Sequence, residues 1–163
     1  MKFTTYLRQG EPRLAPVDGQ HLIGLNDADS QTPADLRAAL RAGADLQAAA
    51  RKASDRGERL PAADIKLAPL VPEPGKIICL GLNYYDHAKE GGREKPDYPW
   101  FFFRAPSSLA AHGEAGWLPK VSTRFDYEAE LAVVIGRTVP RHTKEADALQ
   151  YVFGYSCFND MSV

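Results

Sequence analysis

The stretch 126–135 reads DYEAELAVVI and decides the fold of this chain. Its odd-numbered side chains, from Tyr127 to Ile135, are mostly apolar, whereas the even-numbered ones from 128 onward are two glutamates followed by Ala132 and Val134. Successive side chains of a β-strand point to opposite faces of a sheet. We therefore predict a strand over 126–135 with two acids on one face, and Ala132 and Val134 indicate that this face is buried farther along.

Glu128 and Glu130 leave the same face of this predicted strand, about 6–7 Å apart at the backbone. Two like charges in poorly solvated surroundings repel each other, so we expect a positive group between them. A divalent cation held by oxygen ligands is one candidate. The alternative is a half-exposed strand face that carries two solvated glutamates. Both interpretations are compatible with the spacing.

Asp160 offers a third carboxylate at the end of a later predicted strand. The Asn159-Asp160 pair there is also typical of a turn, because both side chains can hydrogen-bond to their own backbone. The carboxylate becomes relevant to a metal site only if its strand is the neighbour of the strand over 126–135.

A short helical turn is predicted around His87 and Glu90, which lie three positions apart just before Gly91-Gly92. If this turn is helical, the two side chains share a face, and Glu90 can hold His87 in one tautomer and raise its basicity, as a water-activating base requires. The alternative is a surface pair worth roughly a few tenths of a kcal/mol. The glycine pair is either a plain helix stop or a hinge for a lid.

Arg104 follows an aromatic run, residues 98–103, which reads YPWFFF and predicts a further strand. A guanidinium in this position can pair with a substrate carboxylate, or it can be an ordinary cation at a strand end. The aromatic side chains are typical of a core or a subunit interface. They do not indicate a platform for stacked bases, because no basic residues interleave with them.

The chain divides at residues 68–75, APLVPEPG, where three prolines and a glycine prevent regular strand pairing. We place a domain boundary here, between a small part over 1–70 and a second part over 71–163. Besides the strand over 126–135, the second part is predicted to contain a strand over 76–81, the aromatic strand, a short capped helix from Thr143 to about Gln150 and a last strand from Val152 to about Asp160.

The first part is predicted to be a small α+β unit. Strands over 2–8 and 21–25 are joined through turn residues into a hairpin or meander. Thr32 as N-cap, followed by a proline at the first helical position, predicts one helix that runs to about Ser54. Gly43 lies inside this helix and weakens it.

Composition excludes several classes of protein. The 163 residues include 20 Lys plus Arg and 21 Asp plus Glu, a formal net charge of -1, so no basic field attracts nucleic acid. The longest apolar runs are far shorter than the ~20 residues needed to span a bilayer, and the amino terminus lacks the pattern of a secretory signal. We therefore expect no membrane partner and a cytoplasmic location. Cys79 and Cys157 stand outside any CxxC motif, and we interpret both as small core residues.

Six motifs follow one another in the second part: KIICLGLNY at 76–84, Asp86-His87 with Glu90, FRAPSS at 103–108, DYEAEL at 126–131, Gly154-Tyr155 and NDMS at 159–162. In this order they resemble the fumarylacetoacetate hydrolase family over roughly residues 70–163. The resemblance implies a mainly β fold of the α+β class, an incomplete mixed β-sandwich roll preceded by the small amino-terminal domain. The sequence stops directly after the last motif, so we expect only the first part of the family's catalytic domain.

The resemblance also implies a function. It implies a divalent metal, Mg²⁺ or Mn²⁺ (with Ca²⁺ as a substitute in crystals), held by Glu128, Glu130 and Asp160, and a general-base dyad of His87 and Glu90. Arg104 stands where the family often has a lysine, and we expect it to bind the substrate. The implied substrate is a small 2-oxo or diketo acid, such as an acylpyruvate, fumarylpyruvate or fumarylacetoacetate. The implied assembly is a homodimer.

The expected activity is hydrolysis of a carbon–carbon bond in that diketo acid by an activated water. A second interpretation within the family is an isomerase or decarboxylase of unsaturated hydroxy diacids from aromatic catabolism. A third, of another class, is a non-catalytic remnant that acts by association through its open sheet edges.

Overall fold

Tight turns fold the start of the chain into a β-meander in the computed structural model, which describes residues 1–25 and 31–163. The first turn has Gln9 and Gly10 at positive φ, 56° and 86°, the backbone twist that suits a two-residue hairpin. The second turn has Gly19 at φ 59°. The predicted meander is confirmed, but the segment Glu11–Asp18, which the sequence assigned to turns, is its central strand.

This meander is the centre of a five-stranded antiparallel sheet with the order β4-β3-β2-β1-β5. The two edge strands, which the sequence did not predict, are added by the chain that follows the helices. The strands are β1 (Phe3–Arg8), β2 (Glu11–Asp18), β3 (His21–Ile23), β4 (Arg59–Pro61) and β5 (Leu67–Ala68).

Two helices, α1 (Leu36–Arg41) and α2 (Leu46–Arg56), lie where one helix was predicted. The prediction of a continuous helix to Ser54 is wrong, because Gly43 takes φ 65° and ends the first helix. The prediction of Thr32 as N-cap is also wrong. Aspartates cap both helices: Asp35 accepts a hydrogen bond from the Ala38 N–H, and Asp45 accepts one from the Ala48 N–H, each at 2.9 Å.

The largest buried hydrophobic cluster joins the sheet to both helices. Leu14 of β2 and Ile23 of β3 pack with Leu36 of α1 and with Leu46 and Ala50 of α2. Fully burying one such leucine or isoleucine stabilises the fold by about 1.5–3 kcal/mol. The first part of the chain therefore has its own core.

The second part consists of two antiparallel strand pairs. β6 (Ile77–Gly81) pairs with β7 (Trp100–Arg104), and β8 (Ala129–Ile135) pairs with β9 (Val152–Asn159). The four predicted strands are confirmed, with shifted ends. β8 begins later than predicted, although Asp126 forms an isolated bridge with Ser162.

Short helices lie in the connections of the second part. The predicted turn around His87 is α3 (Tyr85–Glu90), and the helix predicted over 143–150 is a shorter α4 (Glu145–Ala148) followed by a 3₁₀ turn. The predicted cap is absent from α4, because the Thr143 hydroxyl donates to the Pro140 carbonyl. The 3₁₀ turns are Ala62–Asp64, Pro106–Ser108 and Leu149–Tyr151.

The two faces of β8 differ in burial. Leu131 and Ile135 are 61% and 53% exposed, whereas Glu130 and Val134 on the other face are half-buried. Val134 packs against the core cluster of the first part of the chain. Cys157 of β9 is opposite Leu131 and shares its exposed face, so our interpretation of Cys157 as a core residue is wrong.

The two parts of the chain also meet through aromatic side chains. The rings of Phe3 in β1 and Phe153 in β9 lie 6.3 Å apart between centroids, at an angle of 42°. The domain boundary near residue 70 stays a prediction.

Over residues 1–25 and 31–163, every helix is too short or too polar to pass through a lipid bilayer.

Gly57 follows α2 in a space that has no room for a side chain. A Cβ atom there would lie 2.7 Å from Ile23 Cγ2 and 2.8 Å from the carbonyl oxygens of Ala53 and Gly24. We expect Gly57→Ala to lower the free energy of unfolding by about 1–3 kcal/mol, measured by urea denaturation, because overpacking shifts backbone atoms. Gly154→Ala, which meets nothing within 4 Å, is the control. Equal urea midpoints for the two variants would contradict this packing.

Candidate active site

The pairing of β8 with β9 brings the three candidate carboxylates to one face. The Asp160 N–H donates to the Glu128 carbonyl at 2.9 Å, so these two residues are directly opposite each other across the pair. Glu130 lies two positions along the strand from Glu128 and therefore leaves the same face. We call Glu128, Glu130 and Asp160 the acidic face. The condition set by the sequence, that the two strands be neighbours, is met.

Asp160 is 6% exposed and has a cation beside it. Arg104 Nε, at the end of β7, lies 2.7 Å from Asp160 Oδ1 as an ion pair. The Nε–H bond of Arg104 is not aligned with the carboxylate oxygen as a hydrogen bond requires, so the contact is an ion pair only. A second guanidinium nitrogen of Arg104 donates to Ser162 Oγ at 2.7 Å, and the Ser162 hydroxyl donates to the Asp160 carbonyl at 3.1 Å. Arg104 thus ties the first strand pair to the end of the second.

Residues outside β8 contact the backbone of Glu128 and the side chain of Glu130. The Glu128 N–H donates to Asn159 Oδ1 at 3.1 Å, which fixes the backbone where β8 begins. The negative charge of Glu130 raises the pKa of the Tyr84 hydroxyl, with smaller contributions from burial and from the hydrogen bond between the two side chains. The Tyr84 hydroxyl is therefore a protonated donor to Glu130 at neutral pH.

Cys79 of β6 lies close to the same charges. Burial raises the pKa of its thiol, and the carboxylate of Asp160 raises it further against the opposing effect of Arg104. The thiol is therefore protonated at neutral pH and is a poor nucleophile and metal ligand, because both roles need the thiolate.

His87 and Glu90 lie on α3, as the spacing predicts, and both are exposed. His87 lines the same cleft as the acidic face, and it lines a smaller depression together with Glu90. After α3, Gly92 takes φ 66° and the Arg93 N–H donates to the Ala88 carbonyl at 2.8 Å. This is a helix stop. A lid movement stays a prediction.

One open cleft collects five of the six predicted site residues. Its volume is about 2200 Å³, which exceeds the roughly 300–1,000 Å³ of typical ligand pockets. A cleft of this size is too wide for the described residues to enclose one small ligand on all sides. The five residues are His87, Arg104, Glu128, Glu130 and Asp160.

The acidic face suits a divalent cation in donor type, since hard cations bind carboxylate oxygens. The low exposure of Asp160 and its unaligned contact with Arg104 fit a carboxylate that can exchange one cation for another. In the arrangement described, however, Asp160 contacts Arg104 and Glu130 contacts Tyr84. Within the described part of the chain, no three acidic, histidine or cysteine side chains stand close enough together to hold a metal ion.

Sequence reasoning assigned no role to three residues that contact the site. Tyr84 reaches Glu130, Asn159 holds the backbone of Glu128, and Ser162 binds Arg104. All three lie inside the motifs that carried the family resemblance, which was the available signal. Their roles depend on contacts between distant parts of the chain, and local spacing does not reveal these.

Comparisons with known proteins identify relatives of this chain. The family described as "Fumarylacetoacetate (FAA) hydrolase C-terminal" matches residues 76–163. The chain is 36% identical over 146 residues to the mitochondrial oxaloacetate tautomerase fahd2 of Xenopus laevis, covering 89% of this chain and 46% of that protein. It is 43% identical over 104 residues to the oxaloacetate tautomerase YisK of Bacillus subtilis, covering 61% of this chain and 34% of that protein. The chain thus spans less than half the length of these relatives.

A solved structure resembles the whole chain. Maleylpyruvate hydrolase from Sphingobium sp. SYK-6, in complex with manganese(II) ion and pyruvate, matches with a TM-score of 0.79 and 28% identity, over 100% of this chain and 59% of that one. The expected mainly β fold of the α+β class is confirmed by this likeness and by the nine described strands. More than half of the chain matches the family description. The chain belongs to the fumarylacetoacetate hydrolase family.

Proposed function

We propose that the protein hydrolyses a carbon–carbon bond in a small diketo acid, with His87 and Glu90 as the proton-transfer dyad. The observation that carries this proposal is that His87 lines the same cleft as Glu128, Glu130 and Asp160. A base and a group of carboxylates in one cleft are the parts that a metal-assisted hydrolysis needs.

The acidic face would hold the divalent metal, Mg²⁺ or Mn²⁺. A solved neighbour, the maleylpyruvate hydrolase, carries manganese and pyruvate, which supports a 2-oxo acid as the ligand class. When bound, the cation polarises the 2-oxo carboxylate as a Lewis acid. Arg104 would bind a substrate carboxylate through its fork of N–H donors.

The dyad moves one proton in two steps. His87 takes a proton from water, and the hydroxide adds to the carbonyl carbon far from the carboxylate. The bond between that carbon and the next then breaks, its electron pair remains on the pyruvate fragment, and the proton on His87 passes to that fragment. The products are a carboxylic acid and pyruvate. Glu90 orients the imidazole and stabilises its charged form.

Tautomerisation of a 2-oxo diacid is the second candidate. Two relatives, at 36% and 43% identity, are named oxaloacetate tautomerases, and this favours an isomerase. In that reaction His87 would remove a proton from the carbon next to the oxo group and return it to the enol oxygen, without a water. The same dyad serves both reactions.

A substrate panel separates these candidates. The protein is incubated with Mg²⁺ and either acetylpyruvate or oxaloacetate, while pyruvate release and the enol absorbance are followed. We expect pyruvate release from acetylpyruvate. Loss of the enol signal of oxaloacetate without pyruvate release would favour the tautomerase. Heat-denatured protein with the same Mg²⁺ is the control for spontaneous reaction. Turnover of neither substrate, with no binding of Mg²⁺, would contradict the proposal and favour a non-catalytic role.

The proposal includes a homodimer. The aromatic strand β7 supports it, because Phe101 and Phe103 are 64% and 69% exposed, and large apolar patches on a surface mark interaction sites. Light scattering coupled to size-exclusion chromatography tests this. A monomer at micromolar concentration would contradict it.

A further inference from the structure

We propose that Arg104 is an internal counter-ion that neutralises Asp160 before the metal binds and gives up this contact when the metal takes its place. This inference rests on the proposed metal site. It assigns Arg104 a positioning role that precedes any contact with substrate.

The burial of Asp160 is the first observation. With 6% of its surface exposed, the Asp160 carboxylate cannot rely on water to stabilise its charge. A buried charge needs a partner of opposite sign, and Arg104 Nε at 2.7 Å supplies it.

The charge balance of the acidic face is the second observation. Three carboxylates (Glu128, Glu130 and Asp160) share their face with one guanidinium, so two negative charges among these four side chains are not compensated. A divalent cation adds the charge that this group lacks. A cation near Asp160 would repel Arg104, because like charges at close range in a partly desolvated site repel strongly.

The geometry of the Arg104 contacts is the third observation. Its Nε atom faces Asp160 without the alignment of a hydrogen bond, whereas another of its nitrogens makes a 2.7 Å hydrogen bond to Ser162 Oγ. The guanidinium also lies 5.6 Å from the ring centroid of Phe102. Arg104 can therefore lose Asp160 and keep two other partners, which lowers the cost of the exchange compared with a bidentate ion pair.

Calorimetric titration with Mg²⁺ and Mn²⁺ tests the exchange. We expect Arg104→Met to bind the metal about tenfold more tightly than the wild type, the ratio that ~1.4 kcal/mol of lost competition corresponds to. Arg137→Met is the matched control, because Arg137 stacks on Tyr151 and donates to Gln150 outside the Asp160 contact. Its affinity should equal that of the wild type. Equal or weaker metal binding by Arg104→Met would overturn the inference.

A second measurement serves if Arg104→Met folds poorly. Arg104→Lys keeps the positive charge but has no guanidinium group. The Nε–H signal that is present in the nitrogen-15 NMR spectrum of the wild type and missing from that of this variant therefore belongs to Arg104. In the wild type this signal should shift during Mg²⁺ titration. A signal that stays in place while calorimetry reports binding overturns the exchange and leaves the proposed metal site intact. Absence of metal binding by the wild type overturns both proposals.

Discussion

Replacement of His87 by asparagine is expected to lower kcat by roughly 10²- to 10⁴-fold, the range that a positioned general base contributes. His87 is exposed on α3, so its removal should leave the fold intact while the water loses its proton acceptor. The measurement is the steady-state rate with whichever substrate the panel identifies, together with the thermal midpoint. We expect the midpoint to stay within about 2 °C of the wild-type value.

His142→Asn is the control for this result. His142 is exposed and takes φ 62°, a left-handed conformation that asparagine tolerates. It should keep the wild-type rate. Glu90→Gln should lower kcat less than the His87 variant, because it removes the orienting partner and leaves the base. Full activity in the His87 variant would exclude the dyad in both the hydrolase and the tautomerase mechanism.

The second large effect is expected from Glu130→Gln, which should weaken Mg²⁺ and Mn²⁺ binding by at least about a hundredfold. An amide supplies a neutral oxygen in place of a carboxylate, and removal of even outer partners of metal ligands costs about 10- to 100-fold in affinity. The measurement is calorimetry with oxalate present as a mimic of the 2-oxo carboxylate. Glu145→Gln, on the exposed helix α4, is the control for loss of one negative charge.

Tyr84→Phe separates two explanations for that loss. If Glu130 acts as a ligand, removing the Tyr84 hydroxyl should change metal affinity much less than Glu130→Gln does. The Glu130→Gln variant should also lower the pKa of Tyr84 toward its ordinary value, because the negative charge that raises it is gone. A spectroscopic titration of the phenol measures this. Unchanged metal affinity in Glu130→Gln would mean that the glutamates are solvated bystanders, the alternative that the sequence left open.

Some contacts at the site could not be predicted from the sequence. Arg104 was assigned to a substrate carboxylate or to an ordinary strand end, and it in fact pairs with Asp160 and with Ser162, which is 58 positions away. These contacts form only because the β6–β7 pair lies beside the end of the β8–β9 pair. The burial of Asp160 strengthens its ion pair with Arg104, and the residues next to Asp160 in the sequence do not predict that burial.

The break in the predicted first helix has a more local cause. The apolar stripe continues through Gly43, and periodicity alone joins the two halves into one helix. A positive φ at Gly43 and the capping of α2 by Asp45 separate them. The residues that cause the break were visible in the sequence. The sheet and core that make the break favourable form only when the chain folds.

The sequence alone determined the four strands of the second part, the helical turn of His87 and Glu90, and the common face of Glu128 and Glu130. These follow from periods of two and about four residues, which are properties of the backbone itself. The tertiary structure decided that Asp160 is opposite Glu128. Strand register is set by hydrogen bonds between segments distant in the chain and by which face of the strand becomes buried. The spacing of residues along one strand predicts neither of these.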